Sequence, residues 1–227
     1  SLTTSAEPWP GKGVHYRMHP ANVACLTAAG IDCCVLANNH VLDWGYEGLD
    51  ETVQVLRRHG LRPVGAGPNA SAAMRPAVLP VAGDARILVF ACGLASAGVP
   101  ASWSAGDDAP GVAMLPDLAP ETAQQLSRHI AAHAAPGDIV IVSLHWGSNW
   151  GYDIPQEHVD FAHALIDAGH VDLIHGHSSH HVRPFEVYRD RLILYGCGDF
   201  INDYEGIGGH ERYRDDLTLM YFPSLDG

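Results

Sequence analysis

Three clusters of polar residues sit where apolar runs end, and each holds side chains able to bind a metal or move a proton. The first is Asn38-Asn39-His40, the second His145-Trp146-Gly147, and the third the run HGHSSHH at residues 175–181. Two imidazoles and an amide oxygen from such clusters suit a borderline-hard divalent ion. The alternative is a set of histidines that cap loops by hydrogen bonding. His177 and His180 are close enough on a turn to reach one ion or two neighbouring ions. An imidazole binds a metal only when neutral, and its second nitrogen then needs a fixed partner. His175 precedes the turn and can point into the sheet; His181 is the bystander of the four. Asp43 follows the first cluster and either orients His40 or caps the next helix. Trp146 and Trp150 form an apolar wall beside the site or belong to the core. Residues 198–205 carry Asp199, Asp203 and Glu205, which face the site as acid/base groups or lie in a solvated turn. Residues 211–216 read as a surface of mixed charge.

Such residues act together only if the elements that carry them converge. Residues 32–37 (DCCVLA), 85–92 (ARILVFAC), 139–144 (IVIVSL) and 171–174 are short apolar runs of the kind that form buried strands. Helical spacing occupies residues 20–29, 48–59, 120–135 and 155–168, with Pro20 at a start and Gly30, Gly60 and Gly169 as stops. Strands alternating with helices imply βαβ units and a sheet covered on both faces. Ligands in such sheets bind beyond the carboxyl ends of the strands. Three of the four buried strands end in the polar clusters, which therefore meet at one edge if the strands are parallel. Residues 93–117 read as a long loop or lid. Gly65-Ala66-Gly67 is too short for a phosphate loop. Residues 185–188, 192–195 and 217–222 look like strands without intervening helices and suggest a second sheet. The expected fold is α/β, a four-layer α-β-β-α sandwich forming one domain over residues 1–227.

The composition excludes several classes. A 47% apolar chain without repeats is neither disordered nor fibrous. No run approaches the roughly 18 apolar residues of a membrane span. Thirteen Lys and Arg against 26 Asp and Glu give a net charge of -13, which repels nucleic acid and anionic membranes. An anionic substrate then requires a metal or a local cluster of donors. Five cysteines without CxxC spacing are expected to be buried free thiols rather than a disulfide framework. Residues 1–13 lack a basic stretch followed by an apolar one, so no signal peptide is expected there. The segment is expected to be a piece of a longer protein.

Ala37-Asn38-Asn39-His40, followed by Asp43-Trp44-Gly45 and Glu51-Thr52, resembles the ANNH-x-x-D-x-G…ET segment of the CapA/PgsA family. These are capsule and poly-γ-glutamate biosynthesis proteins with a calcineurin-like metallophosphoesterase fold. Residues 64–67 (VGAG), His145-Trp146-Gly147, residues 176–180 (GHSSH) and residues 193–200 (ILYGCGDF) are similar to further family motifs in the same order. The resemblance implies a centre of one or two divalent ions (Mn, Fe or Zn) held by Asn39, His145, His177 and His180. His40, Asp43 and Asp199 would be catalytic, and Asn38, His40 and Trp146 would contact an anionic small-molecule or polymer substrate. The chain departs from the pattern in several places. The Asp-bearing first strand and the NLE segment are absent, Asn149 stands where the family commonly has Glu, and Asp199 where it usually has Asn. The turn holding His177 and His180 is one residue longer than the GH-x-H of classical phosphoesterases. The resemblance thus implies a metal-dependent hydrolase. A metal-independent acid/base enzyme such as a peptide epimerase, or a non-catalytic subunit of a polymer-export complex, is the alternative. Membrane association would come only through an anchor outside the segment. Without the first strand, an open edge beside residues 32–37 and weak metal binding are expected.

Overall fold

The computed structural model describes residues 1–81, 83, 85–200 and 208–225. In chain order the elements are α1 (Ala24–Ala28), β1 (Cys33–Val35), α2 (Gly45–Arg58), β2 (Arg62–Val64), β3 (Ala66–Gly67), α3 (Ala70–Met74), β4 (Ala77–Pro80) and β5 (Arg86–Gly93). There follow β6 (Gly111–Val112), α4 (Pro120–Ala131), β7 (Ile139–His145), α5 (Gln156–Asp167), β8 (Leu173–His177), β9 (Phe185–Tyr188) and β10 (Arg191–Leu194). Among the described residues, no helix is long and apolar enough to cross a membrane.

Six strands form the main sheet in the order β4-β5-β7-β8-β10-β9. The inner four run parallel, and β4 and β9 close the edges antiparallel. Side chains alternate across a strand, so one parity of residues faces each side. Leu88, Phe90, Val140, Val142, Leu144 and Ile174 pack with Leu126 and Ile130 of α4 and Phe161 and Leu165 of α5. The opposite parity, Val89 and Ala91, joins Leu36, Val64 and the α2 residues Leu49, Val53 and Leu56 in a second core. The short parallel pair β1–β2 contributes to this second core. The half-buried β1 pairs only with β2 among the described residues.

Some sequence expectations are corrected here. Residues 93–117 are not a lid. Trp103, Val99 and Val112 within them are buried in the second core, and β6 pairs with β3. Residues 217–222 do not form a strand; Leu217, Leu219, Met220 and Phe222 are exposed. Alternating apolar residues make a strand only where an edge accepts their backbone groups, and none does so among the described residues. The helix expected over residues 20–29 is a 3-10 turn, Pro20–Val23, continued by one turn of α-helix. All five cysteines are free, but Cys92 alone is buried and Cys25 is exposed.

Candidate functional site

The parallel register sets the first part of the site. His145 ends β7 and pairs directly with His177, the last residue of β8. Their rings tilt together at a centroid distance of 4.8 Å, with Nδ1 atoms 3.0 Å apart. That contact is the length of one N–H···N bond and also the spacing of two nitrogens sharing an ion. Both Nε2 atoms are buried without a hydrogen-bond partner. Burial, with His40 and His180 nearby, pulls the His145 pKa down to about 4. Burial with His145 and His175 beside it holds His177 well below the usual imidazole range. Both rings are thus neutral, the form that binds metal. His175 points into the sheet and meets the Ser143 hydroxyl at 2.9 Å. A cavity of about 450 Å³ lies against this row, lined by His175, His177, Asn38, Val35, Ile141 and Met220.

The second part is the turn after β1. The Asn38 side chain accepts the His40 N–H at 2.9 Å and so shapes its own turn. Asp43 is fully buried and accepts the His40 Nδ1–H at 2.7 Å, a bond from the Lys12 ammonium, and the Tyr16 N–H at 2.7 Å. Burial alone would raise its pKa, but these donors outweigh it and hold the carboxyl below its ordinary value. Asp43 therefore orients His40; Trp44 occupies the N-cap of α2 instead. Gly98, at φ +76°, lets the Asn39 amide approach, since a Cβ there would lie 3.3 Å from Nδ2.

The third part follows β8. Ser178 adopts φ 129°, an uncommon angle for a residue with a side chain, and its hydroxyl donates to the Gly147 carbonyl at 3.0 Å. The chain then carries His180 to Asp199, with Nδ1 2.9 Å from Oδ2, while its N–H donates to the Asn149 carbonyl. The structure thus joins His145 with His177, His40 with Asp43, and His180 with Asp199. It does not gather His145, His177 and His180 into one cage: among the described residues, no group of three or more His, Cys, Asp or Glu is placed to hold a metal ion. The β8 strand runs three residues further than the sequence suggested, to His177, and His180 beyond it pairs with Asp199.

His181 is fully buried; its Nε2 accepts the Gly151 N–H and its Nδ1 donates to the Val182 carbonyl. Trp146 is in the core rather than against a substrate. It is buried, stacks on His158 and Tyr195, and donates to the Tyr195 carbonyl at 3.2 Å. Asp203 and Glu205 lie outside the described residues. Two residues escaped the sequence reading. Lys12 lies in a segment without hydrophobic period, and only its being the chain's one lysine marks it. Arg183 is buried beneath the loop after β7 and donates to the Ser148 carbonyl and hydroxyl; no sequence signal sets it apart.

The family model of bacterial capsule synthesis proteins, PGA_cap, matches residues 1–204. A probable polyglutamine synthesis accessory protein of Mycobacterium tuberculosis is 50% identical over all 227 residues, which are 60% of its own length. The PGA biosynthesis protein CapA of Bacillus subtilis is 30% identical over 216 residues, 95% of this chain and 53% of that protein. The capsule biosynthesis protein CapA of Bacillus anthracis is 28% identical over 210 residues, 92% of this chain and 48% of that protein. The chain therefore spans half to three-fifths of the length of these relatives. With nine-tenths of its length matched and its motifs gathered at the strand ends, the chain belongs to the bacterial capsule synthesis protein family PGA_cap.

Proposed function

We propose that this chain serves capsule or poly-glutamate synthesis as a metal-assisted hydrolase of phosphoester or amide-type bonds, with a metallophosphoesterase-type site. The observation that carries this reading is the neutral, buried His145–His177 pair. Metal–imidazole bonds of about 2.0–2.1 Å place two nitrogens on one ion roughly 3.0–3.4 Å apart. The Nδ1 separation of 3.0 Å fits, and the orphaned Nε2 atoms mark a site whose polar groups are incompletely satisfied. His145 and His177 would hold the ion, and the family resemblance adds Asn39. A bound divalent ion supplies a water of lowered pKa and charge to stabilise the displaced oxygen. His40, its Nδ1–H committed to Asp43, presents Nε2 to the substrate; the imidazolium form of the ring, balanced by the Asp43 carboxylate, would donate from Nε2 to developing negative charge. Lys12 offsets part of the chain's negative charge beside an anionic substrate.

A second reading, metal-free acid/base chemistry, draws on the two imidazole–carboxylate pairs, His40–Asp43 and His180–Asp199. Elemental analysis together with cleavage of a nitrophenyl phosphodiester and of poly-γ-glutamate, before and after chelation, separates the readings. The metal-assisted reading expects about one or two Mn, Fe or Zn ions per chain. It also expects loss of activity on chelation, restoration by the metal, and loss in His145→Ala. Undiminished activity in metal-free protein would hand the site to the second reading. No cleavage of either substrate under any condition would leave a scaffolding subunit.

A further inference from the structure

The chain uses arginine for every cationic side chain but one. Lys12 is its single lysine, set against twelve arginines, and its side chain is only 18% exposed. Three groups of one turn converge on its Nζ: the Asn39 carbonyl at 2.5 Å, the Asp43 carboxylate, and His40 Nδ1 at 3.0 Å. The ammonium also lies 5.3 Å from the centre of the buried Trp103 ring. The segment that carries it has no regular secondary structure and is pinned to the same turn. Trp9 N–H donates to the Asp43 carbonyl at 2.8 Å, Tyr16 N–H donates to Asp43 Oδ2, and the Tyr16 ring meets His40 edge-on at 4.6 Å.

We propose that Lys12 is a positioning residue for His40. With Asp43, it keeps the Nδ1 edge of the ring turned inward, so that Nε2 is the nitrogen offered to an anionic substrate. A single N–H···O bond to Asp43 leaves the imidazole free to swing about that bond. Lys12 removes this freedom. It binds the other carboxylate oxygen, ties the carboxylate to the peptide carbonyl just before His40, and fills the space beside Nδ1. A compact ammonium with three rotatable donors suits the Asn39 carbonyl and the Asp43 carboxylate, two acceptors that converge on one point beside the ring, whereas the planar fork of a guanidinium does not. That difference accounts for a lysine here in a chain otherwise built with arginine. The role of His40 rests on the proposed function; the clamp itself is tested without activity.

The 227-residue chain carrying 15N at lysine Nζ and in histidine rings gives one lysine signal, which needs no assignment. The clamp expects a slowly exchanging ammonium signal that shifts or vanishes in Asp43→Asn. It also expects His40 ring signals that move in Lys12→Met and Lys12→Arg while those of His163 stay. A lysine signal exchanging like a free amine and indifferent to Asp43→Asn overturns it. If Lys12→Met fails to fold with Asp43 uncompensated, the double variant Lys12→Met/Asp43→Asn removes both charges. Its His40 ring signals must then differ from those of Asp43→Asn alone, and identical signals overturn the proposal. On the nitrophenyl phosphodiester, Lys12→Met should lower kcat about tenfold or more with KM within about threefold, and Lys12→Arg should recover only part. Unchanged kcat in both variants overturns the positioning role. A wild-type protein that cleaves nothing instead removes the proposed function and leaves the ring signals to decide the clamp.

Discussion

Adjacent imidazoles at positions 180 and 181 part company because the backbone after Ser178 turns one outward and the other inward. His180 goes to Asp199 beside the site, whereas His181 fills a buried position and bridges the Gly151 N–H to the Val182 carbonyl. Replacing His181 with Ala leaves the Gly151 donor unsatisfied, which costs about 1–3 kcal/mol. His181→Ala should therefore lower the urea midpoint while metal content and the His145 and His177 ring signals stay as in the wild type. Loss of metal in this variant would bring His181 into the site. Gly176 shows how tightly β8 is held. A Cβ there would lie 2.5 Å from Trp146 Nε1 and 2.6 Å from the Tyr195 carbonyl oxygen. No side chain fits between His175 and His177 without moving the strand that aims them.

At the scale of elements, the site depends on β7 and β8 keeping register, and that register is backed by α4 and α5. Phe161 of α5 is buried against Leu144 and Ile174 within one core, on the face of the sheet opposite His145. Truncation to Ala should cost about 3–5 kcal/mol through lost burial and the cavity left behind. The edge strand β9 gives the contrast. Val187 is 63% exposed, so Val187→Ala should stay within about 0.5 kcal/mol of the wild type. Urea unfolding of both variants tests this, with the midpoint shifting for Phe161→Ala and the slope unchanged. Equal effects would mean that β9 is covered in solution.

For the whole molecule, the buried histidines set the response to acid. Burial lowers the pKa of His145 and His158 to about 4 and pushes His175, His177 and His181 down as well. An unfolded chain protonates these rings near pH ~6.5. Below that value the unfolded state therefore binds protons that the folded state refuses, and stability falls with falling pH. The contribution is fully present above pH ~6.5 and is lost progressively toward pH ~4, on the order of 3 kcal/mol for a ring shifted as far as His145. Urea midpoints should be level from pH ~8 to ~7 and drop steeply from pH ~6 to ~5. A level midpoint through that window would mean that the rings are already protonated in the folded protein.

The amino-acid sequence by itself determined the α/β class, the main strands and helices, and the placement of polar clusters at strand ends. These rest on periodicity and turn residues within about ten positions, which β5, β7, α4 and α5 display clearly. The family motifs are likewise contiguous words. The partners of each histidine were a matter for tertiary structure alone. His145 meets His177 across a parallel register, His180 meets Asp199 by way of a left-handed residue, and Lys12 reaches His40 from an irregular segment. The absence of a strand at residues 217–222 and the burial of Trp103 also arose there. Local patterns specify which face of an element is apolar. Contacts between residues thirty apart depend on how those faces register, and no local period encodes that.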